Sequence, residues 1–303
     1  MVKDYKFAAF SAGIVMVLLF GLSYIMMKIA LRSMEPLLIV FCRYLLAVIV
    51  LHIIYLFMKN KEKVKPEDRI KIILVGLLEP GLFFIFDAYG LKYTTAIRAS
   101  ILLATIPVMT SLLAVPILKE KLTWMKLVTT AGSIIGVYFV VKTQEPPAAG
   151  ANYLIGDIFI FLACIAASFY TVFARKLSFR YSFFTITRMQ SIIAVILFLP
   201  LAGAEALITG IKQPQINSVL AVIYLGVFSS ALGYMLLNYT IAALSAANSS
   251  IFANLIPAVT MILSVLILNE FVGVSKVFGL IIVTAFVILL SWYERNVRTY
   301  KKK

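Results

Sequence analysis

Shifted by 150 residues, this chain repeats itself. Residues 96–126 and 246–276 agree at 12 of 31 positions without a gap. The matches include Ser100 with Ser250, Pro107 with Pro257, Glu120 with Glu270 and Lys126 with Lys276. Two unrelated apolar helices would not keep a proline, an acid and a base in register by chance. The same shift pairs Gly76 with Gly226, Leu82 with Leu232 and Tyr89 with Tyr239. A shift of 145 pairs two arginines, Arg43 and Arg188. Whatever unit the chain folds into, it builds that unit twice.

The unit is a set of membrane spans. The chain is 62% hydrophobic and only 14% charged, with a mean hydropathy of +1.02. A water-soluble domain is nearer half apolar and a quarter charged, and disorder needs the opposite bias. A helix crossing the hydrocarbon core needs about 20 mostly apolar residues. Ten stretches meet that length: 7–31, 36–58, 70–91, 93–118, 125–141, 154–173, 181–203, 216–241, 246–268 and 275–292. The first is too long for a cleaved signal peptide and lacks a small-residue cleavage site. Loops are short, which leaves no separate soluble catalytic unit.

Basic residues set the expected orientation. With the N-terminus in the cytoplasm, the inner segments carry nineteen Lys and Arg against seven outside, a positive-inside bias. The inner turn 242–245 contributes none. Trp124 and Trp292 fall at span ends, as interfacial anchors do. The formal net charge of +15 is thus read as an orienting charge near a negative membrane face, with no nucleic-acid partner. Five spans per unit is an odd number, so the second unit must lie upside down relative to the first. Inverted repeats of this kind mark alternating-access transporters, with a substrate site near the midplane. The expected architecture is an all-α integral membrane protein: ten transmembrane helices in two inverted five-helix repeats, both termini cytoplasmic. The units run over 1–148 and 149–293, followed by a basic tail at 294–303.

The chain resembles the EamA-type members of the drug/metabolite transporter superfamily over nearly its whole length. The resemblance rests on two copies of a Pro-then-Glu block, from Tyr93 through Pro107 to Glu120 and from Ser245 through Pro257 to Glu270. Gly156–Asp157, Tyr170 to Arg175, and Gly226 to Tyr234 add to it. It implies ten helices around a central cavity formed mainly by spans one, three, four, six, eight and nine. It also implies a cargo of small metabolites, amino acids among them, moved across the cytoplasmic membrane, with export the expected direction. The alternatives are a nucleotide-sugar or sugar-phosphate exchanger of the same superfamily and, least favoured, a membrane protein that transports nothing. The exchanger's anions would want several bases in the cavity, whereas this chain places acids there.

Individual residues sharpen the expectation. Glu79, Phe83 and Asp87 recur at i, i+4 and i+8, on one broad helix face. An intramembrane acid costs about 3 kcal/mol on insertion scales, so it belongs in a wet cavity or beside a partner. Glu79 could meet a cationic or amine group or carry a proton; the competing reading is an ion pair with Arg43. Tyr24, Tyr170, Tyr234 and Asn238 are further mid-span polar groups expected at the cavity. One turn before the prolines, Ser100 and Ala104 in one unit and Ser250 and Asn254 in the other are expected to line it as well. Pro107 and Pro257 each remove a helical hydrogen bond and are hinge candidates. Arg43, Arg188, Glu120 and Glu270 read as structural charges, and Asp157 as an anion at a helix start. Gly132 and Gly136 permit close helix approach, within a monomer or across a homodimer. One histidine, His52, and two scattered cysteines, Cys42 and Cys164, build neither a histidine/cysteine metal site nor a disulfide framework. No enzyme activity, metal or cofactor is expected; the expected partners are a small-molecule substrate and the lipid bilayer.

Overall fold

The structure, a computed structural model, describes residues 2–59, 61–118, 122–142, 152–177, 180–210, 213–244, 252 and 255–300. Its described regular elements are helical. They are α1 (Val2–Ala30), α2 (Pro36–Phe57), α3 (Arg69–Gly76), α4 (Phe83–Tyr93), α5 (Ala96–Leu103), α6 (Ile106–Leu118) and α7 (Trp124–Val141) in the first half. The second half holds α8 (Tyr153–Leu177), α9 (Phe183–Thr209), α10 (Ile216–Tyr224), α11 (Tyr234–Leu244), α12 (Ile256–Leu263) and α13 (Val274–Tyr300).

Seven described helical stretches are long and apolar enough to cross a membrane: Phe10–Ala30, Pro36–Phe57, Ala96–Ile117, Trp124–Val141, Tyr153–Ala174, Phe183–Thr209 and Ile216–Thr240. Ile256–Leu268 and Val274–Leu290 are shorter apolar helices. The remaining expected span, residues 70–91, is divided into α3 and α4. Leu77–Leu82 between them is a π-type turn in which Glu79 is extended, at φ −143° and ψ 116°. Pro80 supplies the reason, since a proline excludes the preceding residue from the α region. At the shift of 150, the matching segment Leu225–Gly233 between α10 and α11 is also a π-type turn.

Side-chain caps close the helix starts. Thr95, Thr123 and Ser182 accept from the backbone N–H groups of Arg98, Lys126 and Thr185. Helix α2 starts at Pro36 without a local side-chain cap. The Glu205 carboxylate, from α9, accepts instead from Leu37 N at 2.9 Å and Leu38 N at 3.1 Å. Glu62, just past α2, returns the favour to the start of α9, accepting from Ser182 N and Oγ. Helix α9 ends at Gly210, whose φ of 75° suits a residue without a side chain.

The packing has a mate for each major contact when the halves are exchanged. Helix α2 packs on α9 and α7 on α13, each the counterpart of the other. Helices α4 and α6 pack on α8, as α11 and α12 pack on α1. The two glycines of α7 serve the α7–α13 contact inside one chain. A Cβ on Gly136 would lie 2.7 Å from Val283 Cγ2 and 3.1 Å from Gly279 O, and one on Gly132 would strike the Phe286 ring. The outer faces carry exposed Ile134, Ile135, Leu199, Leu207 and Ile208, an apolar surface far larger than a soluble monomer shows.

Three bases near the ends of expected spans, which enter the positive-inside count, are buried. Lys126 donates to Ser111 O at 3.2 Å, and Lys276 to Phe271 O at 2.7 Å. Arg98 is 1% exposed and pairs with Asp157 through Nη2, with Nε at 3.3 Å from the same carboxylate. Its Nη1 and Nη2 also donate to Val140 O and Val141 O. Asp157 was expected to answer only a helix dipole; its partners are Arg98 and the Thr94 hydroxyl at 2.9 Å. The positive-inside count keeps its sign without these three bases.

Candidate functional site

A cavity of about 330 Å³ lies between the two halves. From the first half its wall takes Phe20, Ser23 and Tyr24 of α1, Arg43 of α2, Glu79 of the interrupted span, Phe83 and Asp87 of α4, and Pro107 and Thr110 of α6. From the second half come Tyr170 and Thr171 of α8, Ser229 of the second π-type turn, and Tyr234 and Asn238 of α11. Most of the remaining wall is apolar, including Met27, Leu91, Ile106 and Leu237. A few polar groups set in an apolar lining is the usual chemistry of a small-molecule pocket.

The two helix interruptions meet here. Glu79 and Ser229 stand 150 residues apart, at the same place in their units. Tyr234 O–H donates to Glu79 Oε1 at 2.7 Å, and Gln190 Nε2 donates to the Glu79 carbonyl at 2.9 Å. Arg43 donates through Nε to Ser230 Oγ at 2.8 Å and through Nη2 to Ser229 Oγ at 3.1 Å. Its guanidinium carbon stands 4.5 Å from the centre of the Phe84 ring. Each half therefore sends a polar side chain into the break of the other. No ion pair joins Arg43 to Glu79 among the described residues; both are satisfied by hydroxyls. Phe83 and Phe84 meet edge to face at 4.8 Å, and Phe20 and Tyr234 at 5.5 Å, which stiffens this wall. Asn238 donates to Thr187 Oγ1 at 2.9 Å, and so links α11 to α9.

Tyr24, Glu79, Phe83, Asp87, Tyr170, Tyr234 and Asn238 all line the cavity. Ser100 and Ala104 do not. Ser100 Oγ donates to Ile97 O, and Ala104 packs among Ile101, Val108, Val140 and Val283. Their expected placement carried one helical face back from Pro107. The chain turns at Ala104–Thr105 and starts a new helix at Ile106, so the face does not continue. Pro107 stands in the first turn of α6 and lines the cavity; Pro257 is buried in the first turn of α12. Neither proline breaks a helix interior, because a first-turn N–H has no intrahelical acceptor to lose. Ser250, Asn254 and Glu120 lie outside the described residues.

The charges expected to be structural divide. Arg43 is in the cavity wall. Arg188 is not; its guanidinium carbon stands 4.0 Å from the centre of the Tyr55 ring. Glu270 caps α5, accepting from Ala96 N at 2.9 Å and Ile97 N at 3.2 Å. Sequence reasoning missed Ser229, Ser230 and Gln190, neutral residues of ordinary type. The one signal available was that the shift of 150 sets Ser229 and Ser230 opposite Glu79 and Pro80.

Outside the spans, Asp68 gathers Lys71 Nζ at 2.7 Å, Arg180 Nη1 at 3.0 Å and Tyr181 O–H at 3.0 Å. The Lys71 ammonium first, then Arg180 and Tyr181, hold its carboxyl down to about 2.

Comparison with known proteins adds a family. Residues 7–142 and again 154–292 match the EamA-like transporter family. An uncharacterized transporter of Bacillus subtilis, YcxC, is 34% identical over 276 residues, covering 89% of this chain and 88% of that protein. A probable terminal-alkyne amino-acid exporter of Streptantibioticus cattleyicolor is 25% identical over 206 residues, covering 68% of this chain and 67% of its own. One solved crystal structure, 14% identical, aligns over 96% of this chain and 98% of its own with a TM-score of 0.67, a likeness of fold alone.

Proposed function

The chain belongs to the EamA-like transporter family, and on that premise we propose that it moves small metabolites across the cytoplasmic membrane by alternating access. The cargo is an amino acid or a related amphipathic solute, and the direction is export. The observation that carries this reading is the cavity itself. Its wall is drawn from both halves, and the interrupted helices of both contribute to it through Glu79 and Ser229. Interrupted helices at a midplane site are a recurring feature of secondary transporters, because unwound backbone there can serve a solute.

The architecture proposed with it is ten spans in two inverted units, over 1–148 and 149–293, with both termini cytoplasmic. The exchange-symmetric packing and the two family matches support it. Within the cavity Tyr24, Glu79, Phe83, Asp87, Tyr170, Tyr234 and Asn238 form the solute contact, joined by Arg43 and Ser229. Two carboxylates against one guanidinium suit a solute bearing positive charge and disfavour a polyanion such as a nucleotide sugar.

Flux tests the proposal. Purified protein in sealed vesicles should admit one or a few labelled amino acids at a rate that saturates with concentration. Vesicles no more permeable than protein-free ones, across a panel of common amino acids and amines, would remove the transport reading.

A further inference from the structure

The polar groups of the cavity fall into two kinds. Arg43 and Glu79 have hydrogen bonds in place, to Ser229 and Ser230 and from Tyr234. Asp87 does not. It stands in the wall on α4, 5% exposed, and its Oδ1 is buried with no hydrogen-bond partner among the described residues. Arg43 is the base whose charge acts on it, yet no ion pair joins the two. Thr110 Oγ1, on α6 in the same wall, is buried and unpartnered as well. Buried polar atoms are almost always satisfied, and an unsatisfied carboxylate oxygen is among the costliest exceptions. An unmet acceptor within a cavity wall calls for a donor brought by the solute.

We propose that Asp87 is the recognition point for a protonated amine, so that the cargo must carry an ammonium group on an apolar or aromatic body. An ammonium offers three donors and a positive charge, which a buried carboxylate binds more strongly than any neutral donor. The rest of the cavity suits such a body. Met27 and Leu91 share the wall with Asp87, and the rings of Phe20, Phe83 and Tyr234 form an aromatic flank. At about 330 Å³ the cavity sits at the small end of ligand pockets, roughly 300–1,000 Å³, with room for one ring and a short chain. A carboxylate on the cargo is then optional, since both bonding arms of Arg43 described above are engaged by serines. This inference rests on the cavity being the transport site.

The test is binding to purified protein, which needs no flux. Four probes share a phenyl ring and a short chain: phenethylamine, phenylalanine, 3-phenylpropionate and N-acetylphenethylamine. The first two should raise the melting temperature, and the last two, which lack the ammonium, should not. Asp87→Asn should weaken phenethylamine binding by about 10- to 100-fold, and Asp87→Glu should keep the preference for the amine. Should Asp87→Asn fail to fold, the wild-type comparison of phenethylamine with its N-acetyl derivative decides alone. Equal stabilisation by the two, no response to any probe, or unchanged amine binding by folded Asp87→Asn overturns the inference. Amine-dependent binding without flux in vesicles would leave Asp87 as the amine site and remove the transport reading instead.

Discussion

Replacing Arg98 by leucine should destabilise the protein more than any single cavity substitution. Arg98 is 1% exposed and Asp157 is 6% exposed, so neither charge has water to fall back on. Arg98→Leu removes the ion pair and the donors to Val140 O and Val141 O, leaving Asp157 with the Thr94 hydroxyl. Stranding one member of a buried pair costs about 3–5 kcal/mol. For a chain of this size each kcal/mol moves the melting temperature by about 2 °C, so the drop should be roughly 6–10 °C. Neutralising the stranded acid as well, in Arg98→Leu/Asp157→Asn, should restore most of the loss, because the desolvated charge is then gone. The assay is thermal unfolding of the four proteins of the cycle in one detergent. A single Arg98→Leu variant within about 2 °C of wild type, or a double variant no better than the single, would refute the reasoning.

Three further outcomes follow from the same geometry. Glu79→Gln should fold, because Arg43 is held by serines and is not stranded, and Gln can still accept from Tyr234; if Glu79 carries a coupling proton, the variant loses pH-driven accumulation but keeps downhill exchange, and a folded variant that still concentrates solute in response to pH removes that role. A reporter fused after Lys303 should read cytoplasmic and one within residues 143–152 external, and the same side for both would undo the inverted arrangement. Asp68 has its carboxyl held from an ordinary 3.8 down to about 2, so its contribution is complete above pH 4 and fades as pH falls toward 2; the melting-temperature gap between wild type and Asp68→Asn should close over that window, and a gap unchanged by acid would contradict the Lys71 and Arg180 pairing.

Much of this was legible because the membrane simplifies the code. Apolar stretches of fixed length and a shift of 150 that keeps Pro107/Pro257 and Glu120/Glu270 in register expose the plan without any contact being known. The acids at Glu79 and Asp87 announced themselves because an unpaired charge is costly in lipid. Neutral partners carry no such cost, which is why Ser229, Ser230 and Gln190 escaped notice. Periodicity failed where the backbone left the helix: Ser100 and Ala104 were assigned to the cavity on a face that ends at the Ala104–Thr105 turn. Arg98 enters the positive-inside count as an outer base because its partner Asp157 is 59 residues away, and sequence distance hides such pairs. Gly132 and Gly136 left a choice between a partner chain and the same chain; Val283, Gly279 and Phe286 of α13 show that α7 uses them within the chain.

Counterflow tests the central claim, one cavity opened alternately to the two sides, most directly. Vesicles reconstituted with the protein and preloaded with unlabelled solute are diluted into a trace of the same solute carrying a label. For a solute that passes the flux screen, alternating access predicts a transient accumulation of label above its external concentration, because each outward trip of unlabelled cargo returns the site for an inward one. The overshoot should disappear in Asp87→Asn vesicles under the same preload. Label that rises only to equilibrium, at a rate indifferent to the preload, would describe a pore and would contradict the account.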